Sequence, residues 1–177
     1  MKFIGTPISG VFTIELEPHS DERGMFARTW DPEEFREHGL SPNLAQCSIS
    51  FNMHAGTLRG MHYQESPWAE AKMIRCTRGA LYDVALDLRR DSPTYLKWFA
   101  IELTAENRRA LYIPEGCAHG FQTLADNTEI LYGMSVPYHS EADRGVRYDD
   151  PAFGITWPET EKQIMSDKDC SYPDWRI

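Results

Sequence analysis

Six consecutive residues, Arg59-Gly60-Met61-His62-Tyr63-Gln64, and a Lys72 shortly after them bring a cation, a potential base and a second cation close together. An imidazole near an ammonium is suited to removing a proton from a carbon beside a carbonyl. The ammonium then meets the negative charge that develops on the oxygen. The run Ala71-Lys72-Met73-Ile74-Arg75-Cys76 alternates polar and apolar residues ahead of Gly79, which reads as strand. Residues two apart on a strand share a face. The sequence therefore sets Arg59 and Met61 on one face and Gly60 and His62 on the other.

The same region bears on metal binding. Gly56, His62, Gln64, Lys72 and Gly79 follow one another with a spacing that resembles the first motif of the cupin superfamily. That motif usually places His, His and Glu around a metal. Here Gln64 and Lys72 stand at the second and third ligand positions. Gln is a weak transition-metal ligand, and a lysine ammonium has no free lone pair. His119, after Pro114-Glu115-Gly116, matches the position of a last cupin histidine. Two histidines fall short of the three or four ligands a functional site needs, so no metal and no other cofactor is expected. The resemblance implies a jelly roll whose pocket does acid–base work.

Positioning these groups requires many strands. Val11–Glu17, Met25–Trp30, Ala80–Leu88, Trp98–Leu103, Arg109–Ile113, Gly120–Leu124 and Glu129–Val136 read as strands between turn signals, with His19–Gly24 as a turn. One helix is well signalled: Asp31 as N-cap, Pro32 at the first helical position, Glu34 at the capping-box position and Gly39 as terminator. After Asp149-Asp150-Pro151 the chain reads as a tail with turns at Trp157-Pro158 and Tyr172-Pro173. The prediction is an all-β, cupin-like jelly-roll barrel with short peripheral helices, with an α+β domain as the other arrangement considered.

The 177 residues are 41% hydrophobic, enough for one domain over 1–177 with a core of its own. A formal net charge of -9 excludes a nucleic-acid or anionic-membrane coat as the main role. A locally basic pocket for an anionic small ligand remains compatible with it. No secretory signal and no long apolar span is evident, and the four cysteines are widely spaced. A cytoplasmic protein with reduced thiols is expected.

A longer series of motifs recurs in fixed order. It comprises Asp21–Phe26, Gly56–Gln64, Lys72, Asp83–Arg89, Ser92–Thr94, Ile113–Phe121, Leu131-Tyr132, Asp149–Pro151, Ile155–Pro158 and Ser166–Asp169. Across nearly its whole length the chain resembles the dTDP-4-dehydrorhamnose 3,5-epimerase family. Members act on a nucleotide-linked 4-keto-6-deoxyhexose and invert carbons beside the ketone. The resemblance implies His62 as general base with Asp169 on its other ring nitrogen, Lys72 at the enolate oxygen, and Tyr132 returning a proton from the opposite face. A phenol with a pKa near 10 needs a nearby cation, such as Lys72, to lower that value if it is to act as an acid at neutral pH. Arg23 and Arg59 resemble the cations around the diphosphate. Phe26, Arg28, Gln46 and Ser48 match substrate-contacting positions, His119 supports the sugar pocket, and Tyr138 matches a second pocket tyrosine. In the family the segment carrying Arg23 reaches into a neighbouring subunit, so a homodimer is implied.

Two positions depart from the pattern. Ser48 stands where the family often has Asn, and Arg28 where it commonly has Glu. The usual reading of thymine is therefore not expected to carry over unchanged, and cytosine, guanine and uracil stay open. Also open are a mono-epimerase acting at C3 or C5, a metal-dependent cupin enzyme, and a non-catalytic sugar-nucleotide-binding cupin. Each residue has an ordinary role as well. In that ordinary role His62 is a hydrogen-bonded core histidine, His119 bonds a loop carbonyl, Lys72 and Arg59 are strand-face charges, Arg23 is a turn residue, Asp169 caps the final turn, Tyr132 is core packing and Tyr138 a rim aromatic.

Overall fold

The computed structural model describes residues 1–176. The chain forms β1 (Lys2–Gly5), β2 (Phe12–Glu15), β3 (His19–Asp21), β4 (Gly24–Phe26), α1 (Pro32–Glu37), β5 (Gln46–Asn52), β6 (Leu58–Gln64), β7 (Lys72–Arg78), β8 (Ala80–Asp87), β9 (Trp98–Thr104), β10 (Ala110–Ile113), β11 (Cys117–Thr123), β12 (Thr128–Met134), β13 (Asp143–Gly145) and α2 (Asp167–Cys170). A six-stranded sheet, β1-β2-β10-β7-β12-β5, faces a five-stranded sheet, β13-β6-β11-β8-β9. The all-β jelly-roll expectation therefore holds.

Between the sheets lies an apolar core. Ile74, Cys76, Leu111, Ile113 and Ile130 come from the six-stranded sheet, and Leu81, Ala85, Cys117 and Phe121 from the five-stranded one. The outer face of the five-stranded sheet is also covered. Met61, Val84, Leu86 and Ala118 pack under Val146, Phe153, Trp157 and Trp175 of the C-terminal tail. On the six-stranded side α1 lays Phe35 against Ile14, Ala110 and Tyr112. Burying that ring contributes roughly 2–3 kcal/mol. Among the described residues no helix is long and apolar enough to cross a membrane.

The helix signals hold with one change. The Asp31 carboxylate accepts from Glu33 N at 2.9 Å and Glu34 N at 3.2 Å, and Gly39 takes φ +70. Glu34 does not close a capping box. Its carboxylate is drawn away by full charges, the Met1 ammonium at 2.7 Å and Arg28 at 3.4 Å. The stretch read as a turn, His19–Gly24, is a small hairpin instead. His19–Asp21 pairs with Gly24–Phe26, and the turn narrows to Glu22-Arg23, where Asp21 Oδ1 accepts from Arg23 N and Gly24 takes φ +131. The strand ends at Phe26 rather than Trp30.

Candidate active site

His62 reaches the cavity between the sheets because β6 carries a bulge. Arg59 pairs with Phe121 and His62 with His119, so β6 advances three residues while β11 advances two. The extra residue resets the alternation. Arg59 and His62 both face inward, and Met61 joins the outer apolar layer. The expectation that Arg59 and Met61 share a face is thereby overturned. Only glycines fit at this crossing. A Cβ on Gly60 (φ +120) would lie 2.5 Å from Gly120 Cα and 2.7 Å from His119 O.

His62 has a carboxylate partner. His62 Nε2 lies 2.7 Å from Asp169 Oδ1, and Gly60 N donates to Asp169 Oδ2 at 3.3 Å. Burial pushes the Asp169 carboxyl up, but these hydrogen bonds outweigh it and hold the group below its ordinary value. With Nε2 turned to the carboxylate, Nδ1 is the nitrogen left to take a proton. Asp169 is buried in α2, whose N-cap Ser166 accepts from Asp169 N at 3.1 Å.

Lys72 enters from the opposing sheet. Its Nζ donates to His62 O at 3.2 Å and pairs with Glu70 at 2.9 Å, with side chains only 11% and 8% exposed. Two of its three donors are thus engaged beside His62.

Tyr132 also projects from the six-stranded sheet, packing on the inner core and edge-on to His119 with ring centroids 5.7 Å apart. Burial and then the Asp83 charge push its phenol well above the ordinary value, with Arg59 pulling the other way. A lowering by Lys72 does not occur. His119 Nε2 lies 2.6 Å from Asp83 Oδ1, both buried, and Asp83 Oδ2 has no hydrogen-bond partner among the described residues. Arg59 Nε donates to Asn52 Oδ1 at 2.8 Å.

At the rim, Gln46 Oε1 accepts from Tyr138 N at 3.0 Å and Gln46 Nε2 reaches Ser48 Oγ at 3.4 Å. The Tyr138 hydroxyl donates to Asp143 at 3.2 Å. Contacts and strand pairing thus join His62 to Asp169, Lys72 and His119, and His119 to Tyr132, with Arg59 on the same strand as His62, while Gln46, Ser48 and Tyr138 form a hydrogen-bonded group of their own. Arg23, Phe26 and Arg28 do not reach these residues within the chain. Arg23 is paired with Asp21 and its side chain is 84% exposed, Phe26 is 78% exposed, and Arg28 pairs with Asp31 and Glu34.

Three polar partners escaped the sequence reading: Asp83, Glu70 and Asn52. Asp83 and Asn52 had one available signal, a polar residue at an inward position of a strand. Among the described residues no three His, Cys, Asp or Glu side chains cluster as metal ligands.

Residues 5–176 match the family model described as dTDP-4-dehydrorhamnose 3,5-epimerase. The chain belongs to that family. A dTDP-4-dehydrorhamnose 3,5-epimerase from Sinorhizobium fredii is 44% identical over 98% of this chain and 89% of the relative. The crystal structure of such an epimerase from Elizabethkingia anophelis superposes with a TM-score of 0.96, at 36% identity over 99% of this chain and 96% of that one. A 3'-monoepimerase from Streptomyces bikiniensis, in complex with dTDP-quinovose, aligns with a TM-score of 0.88, at 35% identity over 96% of this chain and 85% of that one. The epimerase fold therefore hosts both one and two inversions among its solved members.

Proposed function

We propose that this protein is an isomerase that inverts C3 and C5 of a dTDP-linked 4-keto-6-deoxyhexose. The observation that carries the reading is His62 of the five-stranded sheet, paired with Asp169 of α2, set opposite the six-stranded sheet that carries Tyr132. His62 Nδ1 takes the proton from the carbon beside the ketone while Asp169 stabilises the imidazolium. The ketone becomes an enolate, and Lys72 meets its oxygen with its remaining donor. Tyr132 delivers a proton to the other face of the planar carbon, which inverts it. A phenol held above its ordinary pKa is fully protonated at neutral pH and so available as donor. The basic enolate carbon, rather than a lowered phenol pKa, drives that transfer.

Arg59 supplies a guanidinium for the diphosphate inside the chain. From a second copy Arg23 adds another guanidinium and Phe26 an aromatic face, in a homodimer whose β3–β4 hairpins cross between sites. Two features support the dimer. The hairpin is exposed along its whole length. The edge strand β5 is inverted, polar inward at Gln46, Ser48 and Asn52 and apolar outward at Ile49 (63% exposed) and Phe51 (45% exposed).

The test is incubation with dTDP-4-keto-6-deoxyglucose in deuterium oxide, followed by proton NMR of the product. Deuterium at both C3 and C5 with both centres inverted is the expected result. Inversion at one carbon would make the chain a mono-epimerase, and no wash-in at either would remove the enolate mechanism.

A further inference from the structure

The His62–Asp169 pair depends on a segment that is not part of either sheet. Asp169 arrives on the four-residue helix α2, and the chain leaves that helix through Ser171 and Tyr172. Two contacts tie this segment to the edge strand β13. Lys168 Nζ lies 2.5 Å from Asp143, and the Tyr172 ring lies against Gly145. A Cβ on Gly145 would fall 2.1 Å from Tyr172 Cζ and 2.3 Å from its Cε2. Gly145 is not required by its φ, which is ordinary. What it provides is room for the ring. Gly145 is also the register partner of His62. The same ring stands edge-on to the His62 imidazole, with centroids 6.2 Å apart at 70°. The Tyr172 hydroxyl is buried and also lies beside Gly145, 2.6 Å from that Cβ position, but it makes no hydrogen bond of good geometry to any described residue, so the seat is a packing contact that the ring alone can make.

We infer that Tyr172 is a positioning residue for the base, a latch that seats on Gly145 and holds Asp169 at the Nε2 side of His62. The inference rests on the epimerase reading for its kinetic consequence but not for its geometry. Without the ring, the tail keeps one exposed ion pair to β13. The Gly60 amide and the Ile164 pairing beside β6 still hold the segment, but Asp169 loses the contact that fixes its place beside His62, and a shift of about 1 Å at an orienting group is enough to cost on the order of 10²-fold in rate. Gly145→Ala acts on the same contact from the other side by evicting the ring. The two substitutions therefore report on one interaction and are not additive in combination.

The test has two arms on the intact protein. The first is nitrogen-15 NMR of the histidine side chains without substrate. The wild type and Tyr172→Phe show neutral His62 as the single tautomer protonated at Nε2, whereas Tyr172→Ala and Gly145→Ala show averaging between tautomers. The second is steady-state kinetics. Tyr172→Ala lowers kcat by about 10²-fold with KM within about twofold, and Tyr172→Phe retains the wild-type values. Circular dichroism confirms that each variant is folded, and Gly145→Ala stands in should Tyr172→Ala fail that check. Unchanged tautomer and kcat in a folded Tyr172→Ala variant, a loss confined to KM, or an equal loss in Tyr172→Phe would each overturn the latch. Tautomer averaging in Tyr172→Ala alongside a wild type that washes in no deuterium supports the latch and removes the epimerase reading instead.

Discussion

Asp169 and His62 stand 107 residues apart in the chain and 2.7 Å apart in space. The carboxylate fixes which imidazole nitrogen carries the proton and favours the charged ring that forms on proton abstraction. Asp169→Asn keeps the shape but can equally donate to Nε2 and stabilise the wrong tautomer. It is expected to lower kcat by roughly 10³–10⁴-fold, as loss of an orienting carboxylate does elsewhere, with little change in KM. Steady-state kinetics with the 4-keto sugar checks this.

Tyr132 and His62 approach from opposite sheets, so their losses differ in kind. Tyr132→Phe is expected to keep deuterium wash-in at the substrate carbon while abolishing net inversion. Product NMR separates the two signals. The phenol pKa is raised by burial and by Asp83, so its protonated form persists beyond pH about 10, the ordinary value. Any stabilisation linked to that proton is fully present below pH about 10 and is lost only as pH rises through the higher folded value. Proton return by Tyr132 is accordingly expected not to decline between pH 7 and about 10 in a pH–rate profile.

The Glu70–Lys72 pair is nearly sealed from water. Removing one member leaves an uncompensated buried charge, so Glu70→Ala is expected to destabilise the fold by about 3–5 kcal/mol. Denaturant unfolding measures this. Lys72→Met is expected to cost about 10²–10³-fold in kcat, the typical loss of an oxyanion donor.

Acid stability should centre on Asp87. Burial pushes its carboxyl up, but Arg89, Ser92 and Thr94 outweigh it and hold the pKa down to about 2. A depressed carboxyl contributes stability above its unfolded pKa, near 3.9, and loses it as pH falls through 2. The contribution is on the order of 2 kcal/mol. Asp87→Asn is expected to remove the dependence of unfolding free energy on pH between about 4 and 2 that this group supplies.

If the hairpin serves a second subunit, Arg23→Ala and His62→Ala are defective in different halves of a shared site. Each alone is expected to be nearly inactive. Mixing them under exchanging conditions is expected to regain part of the activity, because one site of the mixed dimer has both intact parts. No recovery in a demonstrated heterodimer would place Arg23 outside the neighbouring site.

Local rules made some elements legible and not others. The α1 boundaries follow from Asp31, Pro32 and Gly39, whose effects are confined to one turn. β8 announces itself by a mostly apolar run, Ala80-Leu81-Tyr82 and Val84-Ala85-Leu86, broken only by Asp83. β11 is legible only from Gly120 onward, because Cys117-Ala118-His119 is buried on both faces and does not alternate. β5 has no legible limits in the sequence, since its pattern is apolar outward and polar inward, the reverse of a strand on a dry core. Catalytic candidates were found through an ordered series of motifs. Their partners Glu70, Asp83 and Asn52 depend on pairings between distant strands, which no local pattern encodes. The same applies to the pKa of Tyr132, which is set by depth and by a carboxylate 49 positions earlier in the chain.

The surplus residue in β6 has a consequence for how such a protein can change. Deleting it would restore regular pleating and swing the imidazole out under the tail, while the tail itself would lose the Gly60 amide that anchors its carboxylate. Acid–base competence is thus tied to the count of residues in one strand. A shell that still grips a sugar nucleotide but moves no protons lies a single codon away.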